Sequence, residues 1–205
     1  MRAIFYRDLV FFNAQKVALL VGLLLFTLWS LFTQQGVFTL SLFIGFVTIQ
    51  IVAIIQEDVV SGYNELVYAT IGAKPYIVSK YTGSVIAASS ATLLLLPILL
   101  LVILLTKQSL SLLVFSLLLS WCFTFFILSF ALPLYLFVST NLSQVVFLTL
   151  FVAPLLLVAV TNIKREMSAE QIMIKLLPYS ATMIVIVVVF YSVSLLFSLY
   201  YSKRS

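Results

Sequence analysis

E-D-V-V-S-G-Y-N-E-L-V-Y-A-T-I-G-A-K-P-Y-I-V-S-K-Y, residues Glu57 to Tyr81, is the stretch on which the reading of this chain turns. It carries Glu57, Asp58, Glu65, Lys74 and Lys80 between long apolar runs that would otherwise read as continuous membrane. At a bilayer centre each such charge costs about 2.5–3.5 kcal/mol, against a gain of about 0.3–0.6 kcal/mol for each apolar residue. The stretch is therefore expected in water, on one side of a membrane. On a helical wheel Val60, Tyr63, Val67 and Ile71 share one face, with Leu66 beside them. Asp58, Ser61 and Glu65 stand on the opposite face. Two readings are open from the pattern: a docking surface at the membrane boundary, or a solvated connection kept out of lipid by its charges. Gly72 fits a helix end and Pro75 the first turn of the next helix. With Lys74, they lead to Lys80 and Tyr81, which are expected to anchor that helix at headgroup level as it enters the bilayer.

The 205 residues are 64% hydrophobic and only 8% charged, with 18 Phe and 10 Tyr. No soluble domain hides that much apolar surface, so the class is polytopic membrane protein. The fold class is all-α, because the apolar runs reach the length of a spanning helix and lack the alternation of a barrel strand. A net charge of +5 would point to nucleic acid in a soluble protein. Here the basic residues cluster at span ends and read as topology anchors facing anionic membrane lipid, with no nucleic-acid partner. Cys122 stands alone in an apolar run and reads as a small core residue. The chain has no histidine, which removes the common intramembrane metalloprotease and Ser-His chemistries. Its six glycines never precede Lys-Ser or Lys-Thr, so no phosphate-cradling loop is present.

Outward from the charged stretch, the pattern gives a single transmembrane domain over residues 1–205 with six spans. These are about 17–33, 37–56, 82–106, 110–138, 145–163 and 179–201. Residues 1–16 mix Arg2, Arg7, Asp8 and Lys16 with Phe5, Leu9 and Phe12 at helical spacing. They read as an interfacial helix on the membrane surface, or equally as the wet end of the first span. That span is read as retained, since no small-x-small cleavage site follows it. Ser139 to Gln144 reads as a tight uncharged inner loop, and 164–177 as a short interfacial or re-entrant segment on the outer side. With both termini inside, Arg2, Arg7, Lys16, Lys74, Lys80, Lys203 and Arg204 lie on the inner side, against Lys107, Lys164, Arg165 and Lys175 outside. The positive-inside rule therefore favours cytoplasmic termini. No charge falls at mid-depth, which disfavours a proton-coupled carrier and favours an apolar or amphipathic cargo.

Three places resemble the permease subunits of type-2 ABC transporters, in the branch of small bacterial six-helix permeases. They are F-Y-R-D-L (Phe5 to Leu9), the acidic pair Glu57-Asp58 with Tyr63 and the I-V-S-K-Y ending (Ile77 to Tyr81), and A-L-P-L-Y (Ala131 to Tyr135). The resemblance spans the chain in layout. It implies a cytoplasmic coupling helix carried by Glu57, Asp58, Ser61, Tyr63, Glu65 and Tyr68, on which two separate ATPase subunits dock. It further implies a second permease subunit, identical or homologous, no cofactor in this chain, and ATP with Mg in the partner ATPase. The location implied is the bacterial cytoplasmic membrane, with export of amphipathic peptides such as lantibiotics or phenol-soluble modulins as one cargo class. Alternatives of other kinds are the substrate-binding membrane subunit of a vitamin uptake transporter, a resistance or immunity protein, and a membrane enzyme acting through Glu57, Asp58 and Glu65.

Overall fold

The computed structural model describes residues 2–32, 36–138, 140–147 and 174–202, all helical apart from short turns. The helices are α1 (Arg2–Ala14), α2 (Lys16–Phe32), α3 (Gly36–Val60), α4 (Tyr63–Thr70), α5 (Ala73–Thr106), α6 (Leu110–Phe137), α7 (Thr140–Phe147) and α8 (Ser180–Tyr201). Among the described residues four are long and apolar enough to cross a membrane: Leu40–Val60, Ala73–Thr106, Leu110–Phe137 and Ile174–Tyr201. α1 and α2 are so only as one unit, bent by 59°. Most of the expected span 145–163 and of the outer segment 164–177 lies outside the described residues.

Three helix ends differ from the expected span limits. The helix of the second span continues beyond residue 56: α3 runs on to Val60 and takes Glu57 and Asp58 into its last turns. That of the third starts before 82, at Ala73, so the connecting helix shrinks to the eight residues Tyr63–Thr70. At 34 residues, α5 is about 51 Å long at 1.5 Å per residue, well beyond a hydrocarbon core of about 30 Å. A helix that overhangs the bilayer accommodates charges in its terminal turns, which is why charge alone was a poor marker of where the helices end. The loop expected over Ser139–Gln144 is also helical from Thr140.

Helix ends follow backbone chemistry. Gly62 (φ 70°) closes the α3–α4 turn and Gly72 (φ 95°) the α4–α5 turn, both in the positive-φ region that side chains avoid. Pro75 sits in the first turn of α5, where a missing N–H is harmless. α6 is capped by Ser109, whose side chain accepts from the Leu112 amide.

α3 is the central rod. It packs against α2, α5 and α6, while α8 lies against α6 and α5. Ile44, Ile51 and Ile55 of α3 meet Leu95 and Leu99 of α5 and Leu128 and Leu132 of α6 in one core. At Gly45 the α6 side chain of Thr124 comes so near that an added Cβ would lie 2.8 Å from Oγ1. Large apolar side chains stay uncovered along α2 and α8, Leu20, Leu24, Val185 and Val188 among them. Lipid is as apolar as leucine, so hydrophobicity does not force these faces inward.

Candidate functional site

Where α1, α3 and α5 converge beside α4, four charged side chains form one cluster. Lys80 of α5 holds Asp8 Oδ1 at 2.6 Å and Asp58 Oδ2 at 2.9 Å. Arg7 of α1 holds Asp58 Oδ1 at 2.9 Å and donates a hydrogen bond to Ser61 Oγ, also at 2.9 Å. The Tyr76 hydroxyl donates to Asp58 Oδ2 at 2.7 Å. Asp58 and Lys80 are fully buried. Two cations face two carboxylates, so the cluster is neutral, as ions removed from water must be if they are to survive.

Arg7 also reaches α4. Its guanidinium lies 3.6 Å from the centroid of the Tyr63 ring, a cation–π contact that joins α1 to the first turn of α4. Ile4, Val67 and Tyr76 form a small core under α4, with Tyr63 and Tyr68 against it. Tyr68 meets Tyr76 edge-on at 5.5 Å between centroids. Burial, with a smaller contribution from the nearby Asp58 charge, pushes the Tyr68 hydroxyl up to about 12, and burial also raises that of Tyr63.

The expected positions divide cleanly. Asp58 is not on the solvent face with Glu65 but inside, because α3 continues one turn further and its Ile51–Ile55 stripe carries Asp58 inward. Lys80 and Tyr81 are not headgroup anchors: both are buried in protein, Lys80 between carboxylates and Tyr81 with its hydroxyl 2.6 Å from Ser194 and 3.0 Å from Ser198 of α8. Lys74 is exposed and Pro75 half-buried. Arg7 and Asp8 do not lie on a free interfacial helix but clamp α1 to α3 and α5. Glu57, Ser61 and Glu65 remain exposed.

Of the expected apolar face of α4, Val67 is buried and Tyr63 half-buried, whereas Leu66 and Ile71 are exposed, as is Val60 before it. The outward surface around α4 is thus mixed, with Glu57 and Glu65 beside Val60, Leu66 and Ile71. The part of Tyr76 was not foreseen, although its place one helical turn before Lys80 and two before the buried Ser84 marks a common face.

The model of a family described as ABC-2 family transporter protein matches residues 3–202. None of the curated proteins and none of the solved structures gives a significant match. The match takes in every element of the cluster, from α1 to the end of α8, and with the long apolar helices it makes the chain a member of the ABC-2 transporter family, a multi-pass ABC permease.

Proposed function

We propose that the chain is the membrane half of an ATP-driven exporter and that α4 is the surface on which a separate ATPase acts. The observation that carries this is the two-sidedness of α4. Its outer side presents Glu65 and Leu66 uncovered, while Val67 and Tyr63 bind it to the ion cluster that ties α1, α3 and α5 together. A push on a helix eight residues long, closed at both ends by glycine turns, passes into three helices at once instead of being absorbed by the connection. Two ATPase subunits would hold ATP and Mg and supply that push. A second permease subunit, identical or homologous, would complete the pathway. Away from their end turns, those that hold the ion cluster among them, the four described spans carry no charge, which suits an amphipathic or hydrophobic cargo, a peptide or a lipid-like molecule. The matching orientation has α4 and both termini on the cytoplasmic face of the bacterial cell membrane.

The test uses the permease co-expressed with its ATPase and reconstituted in liposomes. Glu65→Lys with Leu66→Glu should leave abundance and thermal stability unchanged while permease-stimulated ATP hydrolysis falls about tenfold, the loss expected of a central interface contact. Undiminished stimulation overturns the docking role. Labelling of a cysteine at position 65 by an impermeant reagent on intact cells overturns the orientation.

A further inference from the structure

Beside the ion cluster, α1, α2, α3 and α5 enclose a cavity of about 430 Å³, within the range of small-molecule sites. Its walls are apolar, with Phe12, Leu23, Phe43, Val47 and Leu95 among them. Along α5 it extends from Gly83 to Leu95, about 18 Å of helix. Its rim is formed by Leu9, Leu20, Ile86 and Leu94, all exposed apolar side chains.

One polar group marks the end of this channel. Asp8 is 5% exposed, and its Oδ1 is taken by Lys80. Its Oδ2 is buried and has no hydrogen-bond partner among the described residues. A buried acceptor left unpaired is costly, so the site calls for a donor. Gly83 borders it: a Cβ there would lie 4.0 Å from Oδ2, in ordinary contact. The charges say what kind of donor it is. Arg7 and Lys80 already balance Asp8 and Asp58. An ammonium would add an uncompensated buried cation, and a phosphate would face a carboxylate. A hydroxyl supplies the hydrogen bond with no charge at all.

We propose that this cavity is a binding site for a neutral bilayer lipid, its acyl chain in the channel and its hydroxyl head donating to Asp8 Oδ2. The site stands apart from the ATPase contact and holds whether or not α4 docks a partner.

Native mass spectrometry of the full chain, released from micelles with dioleoylglycerol, dioleoylphosphatidylglycerol or oleylamine, tests it. Dioleoylglycerol should be retained in preference to the other two. Ala87→Trp fills the channel without touching the ions and should weaken retention about tenfold or more, while Asp8→Asn should weaken it less. Equal retention by Ala87→Trp and the wild-type chain, or tighter binding of oleylamine or the phospholipid, overturns the proposal. So does crosslinking through Ser90→Cys in a Cys122→Ser background that displaces dioleoylglycerol, which would make a second copy the occupant.

Discussion

The boundary cluster beside α4 and the α5–α8 seam solve the same problem in opposite ways. At the boundary, helices are joined by full charges: Lys80 between Asp8 and Asp58, and Arg7 on Asp58. At the seam, which starts at the next residue of α5 and runs one helical turn on to Ser84, they are joined by neutral hydroxyls. Tyr81 meets Ser194 and Ser198, and Tyr191 donates to the Tyr81 carbonyl at 2.7 Å and pairs with Ser84 at 2.6 Å. Phe125 packs edge-on against Tyr191 at 5.1 Å. The lesson concerns depth. Ions are held in the end turns of α3 and α5 beside α4, and hydroxyls and rings take over further along the bundle at Ser84, Tyr191 and Phe125, since a failed ion pair deep in a span has no solvent to fall back on.

The most damaging way to break the comparison is Lys80→Met. It leaves Asp8 and Asp58 buried without their shared cation, and the expected loss is about 3–5 kcal/mol, read as a large fall in thermal stability in detergent. A near-normal unfolding temperature would mean that the boundary is not held by charge. Gly45→Ala probes the neutral part of the bundle. Its methyl would press on Thr124 Oγ1, costing about 1–3 kcal/mol, and Thr124→Ala in the same chain should restore most of the stability. Absence of rescue would place the strain elsewhere on α3. Tyr81→Phe is the mildest. It keeps the ring and removes the hydroxyl shared with Ser194 and Ser198, for about 1 kcal/mol by the same unfolding measurement. A loss as large as that of Lys80→Met would erase the distinction between the two regions.

Much of this was legible in the chain. The apolar runs and their punctuation by Gly72, Pro75, Lys107 and Ser109 give long helices in nearly the right places. The three short resemblances point to the family whose model then matches residues 3–202. The membership of the ion cluster was not legible. Asp58 and Glu65 look alike on a wheel drawn through a single connecting helix. They part company only because α3 ends at Val60 and α4 starts afresh after Gly62, which rotates one acid inward and the other out. A hint lay in the spacing, since Asp58 continues the Ile51–Ile55 stripe and Lys80 continues that of Tyr76.

What the sequence determined by itself is therefore the solvent of each segment. Transfer free energy is a property of local composition, and a run of some twenty apolar residues settles it without reference to anything else. What only the tertiary structure decided is the partner of each charge. Arg7 and Asp58 are 51 positions apart and Asp8 and Lys80 are 72 apart in the sequence. A pairing over such separations depends on how α1, α3 and α5 are packed, which no local pattern encodes.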